Sequence, residues 1–570
     1  MIDKQSNYQL PAILFILLSQ VLLFVPLTIY FWNIEEFSTT PFALFRLIII
    51  PLILGFVLLF ALFQKAGDKF RSLISANLAC VSILFWVQVN LFSGVHNPLD
   101  GNTIEWETGL WRSYLDSFVW GIALIGVNTF YQKLSGVAVR LASILFIVQF
   151  FSLVYLAADK LSSYDAPREN KLADFEQVSA FSKDTNIVHI LIDGFQSDIF
   201  KDSIENEMLS DFVRGTFSGF TFYEETFGVF PFTKFAVPVI LGGKYYSNDV
   251  PKEEFIDNVL RSENILNTAV DNGYELDVIA GGAYLAKKYR NTNYQYFYEI
   301  STRDNISEAV KIVDLALFRL VPYKLKPHIY LKQKWLLSSF LLEDKPIGDY
   351  FSHTAFMNRF IDAVKVNRDK AVYKFIHLMN THNPMVVNNT CNYAGGELST
   401  NRENLTYQSF CTLITLSEFF KSMKAQGIFD EALIIIHSDH GGWVGNKRQG
   451  PPIIFNDGKM ARPFVASLAS PLLMVKLPNS EEELQVSRAH VSLADLADTI
   501  SDINDWGRNF GHESLLDVEE SDVRERYFRF YLWKSDTKDS DYIGPVEEFK
   551  VNGSHYESEW ERSSVFYPPE

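Results

Sequence analysis

A run of about 20 apolar residues leaves a chain few options, because a helix of that length just crosses the ~30 Å hydrocarbon core of a bilayer. The first 160 residues carry five such runs, at 10 to 31, 43 to 64, 72 to 93, 113 to 131 and 138 to 158. Each is expected to be a transmembrane helix. The first is too long for the apolar region of a signal peptide and has no small-residue cleavage site after it, so it is expected to stay in the protein. The third and fourth carry Gln88, Asn90, Asp116 and Asn128, polar side chains that belong against other helices rather than lipid.

Basic residues set the orientation. Lys4 precedes the first run, Lys65, Lys69 and Arg71 lie between the second and third, and Lys133 and Arg140 flank the gap between the fourth and fifth. The alternate connections hold Glu35, Glu36, Asp100, Glu105 and Glu107, with Arg112 as their one basic residue. The positive-inside bias then puts the N-terminus in the cytoplasm and everything after residue 160 outside. Arg46, just inside the second run, is expected to snorkel to the outer interface. A formal charge of −17, from 51 Lys and Arg against 68 Asp and Glu, with no basic block, argues against a nucleic-acid partner. The three cysteines, Cys80, Cys391 and Cys411, form no CxxC pair, which excludes a Cys-built metal cluster. In an oxidising compartment Cys391 and Cys411 can pair or remain two thiols, while Cys80, within a span, stays free.

After a polar connector the composition becomes that of a soluble domain of about 400 residues. The expected layout is a transmembrane domain over 1–160, a connector over 161–185, a catalytic domain over 186–520 and a β-rich tail over 521–570. Short apolar runs at Asn186 to Ile192, Tyr274 to Ala280, Tyr373 to Met379, Ala432 to His437 and Pro471 to Leu477 predict buried parallel strands. Helical patterns at 409 to 427 and 491 to 503 lie between or after them. The aromatic stretch 527 to 533 predicts strands of a separate small layer.

Parallel sheets hold ligands at the carboxyl ends of their strands. Three runs end in candidate ligands: Ile-Leu-Ile-Asp-Gly at 190 to 194, Met-Asn-Thr-His-Asn-Pro at 379 to 384 and His-Ser-Asp-His-Gly-Gly at 437 to 442. Asp193, His382, Asp439 and His440 are therefore expected on one edge, although an Asp-Gly is also a common turn. Asp439 beside His440 after an apolar strand is costly to bury without a cation. His189, His377 and His437, inside the strands, are expected to be core or supporting histidines. Thr233 opens an apolar stretch closed by Gly-Gly and is expected to be a helix N-cap whose hydroxyl faces the positive end of a helix dipole. Pro238 argues against a regular helix there.

The order Asp193-Gly, Thr-x-x-Ala-x-Pro at 233 to 238, Asn-Thr-His-x-Pro and Ser-Asp-His-Gly at 438 to 441 resembles the sulfatase-like branch of the alkaline phosphatase superfamily. In layout the chain is similar to lipoteichoic acid synthases and lipid A phosphoethanolamine transferases, which join five membrane helices to an extracytoplasmic catalytic domain. The resemblance implies an α/β alkaline-phosphatase-like domain with a central, mostly parallel sheet. It gives Asp193, Asp439, His440 and Thr233 the metal-ligand positions and makes Thr233 the nucleophile. It places His382 at the substrate phosphate or leaving group, and Cys391 and Cys411 fall where phosphoethanolamine transferases carry disulfides. One divalent ion, manganese, zinc or magnesium, is expected, with Lys447, Arg448, Lys459 or Arg462 adding positive charge toward phosphate. Lipoteichoic acid synthases have Glu where this chain has Asp193. Sulfatases convert a Cys or Ser to formylglycine, and Thr233 disfavours that chemistry.

The implied activity is transfer of a phospholipid headgroup, phosphoethanolamine or phosphoglycerol, onto an envelope glycan or glycolipid through a phosphothreonine. The membrane would be the plasma (inner) membrane, with the catalytic domain in the periplasm. The alternatives are an extracytoplasmic phosphodiesterase or sulfatase-type hydrolase, and a non-catalytic lipid-sensing regulator.

Overall fold

The computed structural model describes residues 2–34, 37, 39–64, 67–92, 110–163, 175–280, 292–296, 302–331, 334–342, 349–448, 453–455, 464–532 and 540–569. The chain divides into two compact units, residues 1–169 with 299–345, and residues 170–298 with 346–570.

In the first unit, among the described residues, four helices are long and apolar enough to cross a membrane: Gln9–Trp32, Pro41–Phe63, Asp68–Leu91 and Ser113–Ser162. Five separate helices were expected. The fourth and fifth runs instead share one element, Leu110–Ser163, which leaves helical geometry at Phe130 (φ −116°, ψ 22°). The residues between the runs explain this, since Tyr131 to Val137 contain no proline and only one glycine to stop a helix. Gln88, Asp116 and Asn128 face other helices as expected, whereas Asn90 is exposed and donates to the Trp86 carbonyl of its own helix. Asn77 and Asn128 exchange hydrogen bonds, Gln88 donates to Asp116 at 3.4 Å, and Ser82 donates to Gln20 at 2.7 Å. Glu35, Glu36, Lys65 and residues 93–109 of the orientation argument lie outside the described residues.

Residues 299–345 sit inside the 186–520 span expected for the catalytic domain, yet they pack within the first unit. Helix Thr302–Leu320 carries Ala309, Ile312, Ala316 and Leu320 three or four residues apart, which places them on one face. That face is buried with Leu27, Tyr30 and Ile48 and with Val25 and Ile29. The Tyr323 N–H donates to Asp116 at 2.6 Å, so the carboxylate within an apolar run has a backbone partner.

The second unit is built on one sheet. Its strands are β1 Asn186–Ile192, β2 Phe220–Tyr223, β3 Glu275–Ala280, β4 Thr292–Tyr296, β5 Val372–Leu378, β6 Leu433–His437, β7 Leu473–Lys476 and β8 Gln485–Ser487, in the order β8-β2-β7-β6-β1-β5-β3-β4. All run the same way except β7, which is antiparallel to β6 and β2. The Pro471 to Leu477 run was expected to be parallel. The chain leaves β6 into the loop at 438 to 448 and re-enters at the same end of the sheet after the short helix Val465–Leu468, so β7 has to run back.

Continuous apolar strands are explained by burial on both faces. Along β1, Ile187 and Leu191 join one core with the helices Thr233–Gly242 and Leu496–Ile503, while Val188, Ile190 and Ile192 join another with Arg402–Ala425. Strands β9 Glu525–Phe530, β10 Val546–Asn552 and β11 Glu561–Phe566 form the expected small antiparallel layer. Phe528, Phe549, Val551 and Trp560 pack it on Phe227 and Leu468. Cys391 and Cys411 form a disulfide that ties the 388 to 392 turn to helix Arg402–Ala425, and Cys80 is a buried free thiol.

Candidate active site

The centre of the sheet brings the three strand ends together. Strand β1 lies between β6 and β5, with Leu191 paired to His437 and Ile192 to Leu378. One to three residues on, the chain delivers Asp193, Asp439 and His440 to the same edge. Asp193 and Asp439 are fully buried, and ligand atoms of Asp193, Asp439 and His440 all lie within 4.8 Å of one another.

The glycines permit this crowding. Gly194 has φ +75°, a left-handed conformation that favours glycine, and it lies against the Thr381 carbonyl and His440 Cε1. A Cβ on Gly441 would collide with the Ser467 carbonyl oxygen. Asp-Gly and His-Gly are thus close-approach positions as well as turns.

The donor atoms are oriented. His440 Nδ1 lies 2.8 Å from the Gly441 carbonyl oxygen, which assigns the proton to Nδ1 and leaves the Nε2 lone pair for the carboxylates. Nε2 stands 3.6 Å from Asp193 Oδ1 and 3.5 Å from Asp439 Oδ2. Those two oxygens are buried and accept no hydrogen bond. Two orphaned anionic oxygens beside an imidazole lone pair are the donor set of a divalent cation, so these residues fit the metal expected from the sequence. Asp439 Oδ1 is held by the N–H groups of His440 at 3.0 Å and Gly194 at 3.3 Å.

Thr233 reaches the cluster from a different element. It is the first residue of helix Thr233–Gly242, and Phe232 occupies the N-cap, one residue before the expected position. Its hydroxyl makes no capping bond and instead donates to Asp193 Oδ2 at 3.0 Å. The helix runs through Pro238, because six apolar residues of its ten are packed in the core and outweigh the one backbone bond that proline removes. Gly243, at φ +69°, ends it as the Gly-Gly pattern predicted.

Asp193 Oδ2 also lies 3.3 Å from His377 Nε2, a supporting contact, and Thr381 donates to the Asp193 carbonyl at 2.5 Å. Burial pushes the Asp193 pKa up, but His382, His377 and His440 outweigh it and hold the carboxyl well below its usual range. Burial pushes His440 down, and the carboxylates of Asp439 and Asp193 more than reverse this. His382 lines the same cleft as Gly194, His440 and Trp443, with Nδ1 2.7 Å from the Asn383 carbonyl. His189 and His437 are core histidines, joined Nε2 to Nε2 at 2.7 Å, with Tyr373 on the far side of His189.

Not every expected residue belongs here. Lys447 pairs with Asp202 at 2.8 Å and Arg448 with Glu225 at 3.0 Å, so both are drawn to acidic side chains instead of a phosphate site. Lys459 and Arg462 lie outside the described residues. Sequence reasoning missed Thr381, Ser438 and Trp443. Ser438 accepts from the Phe195 N–H at 2.9 Å and donates to the His440 carbonyl, fixing the turn between the two ligand loops. Its place beside Asp439 was the one available signal.

A mostly parallel sheet with carboxylates, an imidazole and a hydroxyl gathered at its central strand ends defines an alkaline-phosphatase-like catalytic domain. A family model described as Sulfatase matches residues 185–505. The chain belongs to the sulfatase family, within the alkaline phosphatase superfamily, and is an enzyme. No curated protein sequence matches it. Similar solved structures include Ps i-CgsB in complex with k-i-k-neocarrahexaose, 11% identical with a TM-score of 0.42 over 65% of this chain and 84% of that one. The C-terminal periplasmic domain of EcEptC from Escherichia coli, in complex with Zn, is 13% identical with a TM-score of 0.38 over 63% and 92%. The phosphonate monoester hydrolase SpPMH from Silicibacter pomeroyi is 13% identical with a TM-score of 0.38 over 67% and 89%.

Proposed function

We propose that the protein is a membrane-embedded phosphoryl transferase that moves a phospholipid headgroup onto an envelope glycan or glycolipid through a phosphothreonine at Thr233. The observation that carries this reading is the Thr233 hydroxyl bonded at 3.0 Å to Asp193, whose other oxygen is buried and orphaned beside an orphaned oxygen of Asp439 and the Nε2 of His440. Asp193, Asp439 and His440, with Thr233, would hold one divalent cation. When bound, the ion supplies positive charge that favours the alkoxide and offsets charge growing on phosphoryl oxygens.

Thr233 loses its hydroxyl proton to solvent as the alkoxide forms, Oγ1 bonds to phosphorus as the bond to the glycerol oxygen breaks, and the second step frees it again as the alkoxide. His382, in the same cleft, gives that oxygen a proton, so diacylglycerol leaves as a neutral alcohol. An acceptor hydroxyl then attacks phosphorus, loses its proton to His382 and frees Thr233. Asp193 orients the hydroxyl, and His377 orients Asp193.

Hydrolysis by water of the same intermediate is the second reading, favoured by the family match. A sulfate ester is disfavoured because Thr233 stands where sulfatases convert Cys or Ser to formylglycine. Mass spectrometry of the intact chain incubated with phosphatidylethanolamine or phosphatidylglycerol tests the first step. A headgroup-sized adduct that disappears in Thr233→Ala supports it, and no adduct with either lipid removes it. Glycolipids that lose a headgroup on deletion of the protein separate transfer from hydrolysis.

The reading includes five membrane crossings, a cytoplasmic N-terminus and an extracytoplasmic catalytic unit. Its support is the basic-residue bias together with the contacts of Leu110–Ser163. Before Phe130 this element runs antiparallel to Asp68–Leu91, with Asp116 beside Gln88 and Asn128 beside Asn77. After it the element returns alongside the first helix, with Val139 near Ile13 and Gln149 bonded to Gln20. The disulfide is consistent with an oxidising compartment.

A further inference from the structure

Beside Thr233 lies a second cavity that the chemistry above does not use. It encloses about 220 Å³ and is lined by Phe232, Trp443, Phe464, Val465, Leu468, Phe530, Tyr531 and Leu532. Among the described residues no charged side chain lines it, and the one side-chain hydroxyl is that of Tyr531.

Two residues join it to the catalytic cleft. Phe232 is the N-cap directly before Thr233, and Trp443, three residues after His440, lines both cavities. The rings form a continuous wall, with Trp443 5.6 Å from Phe232 and 6.2 Å from Phe464, and Phe232 5.1 Å from Tyr531. Trp443 and Leu532 keep 37% and 43% of their surface exposed, which leaves apolar area for an occupant to cover.

We propose that this pocket binds an acyl chain of the lipid whose headgroup phosphate reacts at Thr233. The inference rests on the phospholipid-donor reading and extends it to the part of the substrate that does not react. A sugar ring would stack on these aromatics, but its hydroxyls would find almost no partners and their desolvation would go uncompensated. A hydrocarbon chain has no such requirement and gains with each buried methylene. Binding energy from a remote acyl chain can also position the phosphate against Thr233.

The full chain, held in amphipol, can be titrated with brominated dioctanoylglycerol while tryptophan fluorescence is read. The expected result is a quenched component that is missing in Trp443→Phe, with an apparent Kd at least about fivefold weaker in Leu532→Glu. With dioctanoyl and dibutyryl phosphatidylethanolamine or phosphatidylglycerol as donors, the ratio of kcat/KM between chain lengths is expected to fall at least about tenfold in Leu532→Glu. The ratio is insensitive to partial loss of folded protein. Quenching that persists in Trp443→Phe or is unaffected by Leu532→Glu overturns the proposal. Displacement of the lipid by a soluble oligosaccharide, with no chain-length dependence, overturns it in favour of a sugar. If no phospholipid turns over but Trp443-dependent quenching remains, the donor reading falls and the acyl pocket stands.

Discussion

Two buried carboxylate centres in the catalytic unit have opposite designs. Asp277, on β3, is fully buried, with Lys374 at 2.6 Å and Arg368 at 3.0 Å from Oδ2 and Arg368 at 3.1 Å from Oδ1. Lys374 spends its remaining donors on the carbonyls of Val178 and Ala180. At the strand ends, Asp193 and Asp439 are as deeply buried, yet each keeps an oxygen with no hydrogen-bond partner, and among the described residues no Lys or Arg pairs with either. Burial is shared, and satisfaction is what differs. A saturated ion network holds elements together, whereas an unsatisfied one is poised for a ligand.

The largest effect that could break this contrast is catalytic. Thr233→Ala is expected to lower turnover roughly 10⁴-fold or more, about 5.5 kcal/mol in transition-state stabilisation, while the unfolding midpoint stays near wild type. A loss of only a few fold would mean that the hydroxyl is structural. Next comes Asp277→Ala, which strands two buried cations and is expected to cost about 3–5 kcal/mol of stability, read by thermal or denaturant unfolding. If it costs under ~1 kcal/mol, the network is not what joins β3 to β5.

Histidines that are stable only when uncharged sharpen the contrast. Burial holds His437 down at about 4 and His353 at about 3, against about 6.5 when unfolded. Below pH ~6.5 the unfolded chain takes up protons that the folded one refuses, so this stability is fully present above that pH. It is lost as pH falls toward 4, by about 3 kcal/mol for His437 alone. Unfolding midpoints flat between pH 7 and 4.5 would contradict it.

The smallest effect is the most discriminating. Manganese or zinc at 100 times its Kd should stabilise the wild type by about 2.7 kcal/mol, a gain absent in Asp439→Asn. Without metal, Asp439→Asn itself should change stability by less than ~1 kcal/mol, because it removes the charge of one of two facing carboxylates that each keep an unpartnered oxygen. A metal response that survives the substitution would move the cation elsewhere.

Much of the fold was legible because burial on both faces writes itself as continuous apolar runs. The runs at β1, β3, β5 and β6 predicted those strands within a residue or two, and Ser-Asp-His-Gly pointed to the ligand loop. The reversal of β7 was not legible, since an antiparallel strand inside a covered sheet is as apolar as a parallel one. Nor was the assignment of residues 299–345 to the helical unit: the apolar face of Thr302–Leu320 looks like that of any amphipathic helix, and its partners lie far earlier in the chain, at Leu27, Tyr30 and Ile48, at Phe85 and at Leu153. Short β2 and β8 carry too few residues to show a period, and β4, at the sheet edge, reads Thr-Asn-Tyr-Gln-Tyr with no apolar run.

The chain's own order of residues determined its apolar spans, its α/β class and the chemical types at each strand end, because these depend on local composition and period. Only the tertiary structure decided that β1 lies between β6 and β5, and hence that Asp193 meets Asp439, His440 and, from a separate helix, Thr233. Strand order and the orphaning of two carboxylate oxygens arise from packing between distant segments, and no local pattern encodes the distance between them.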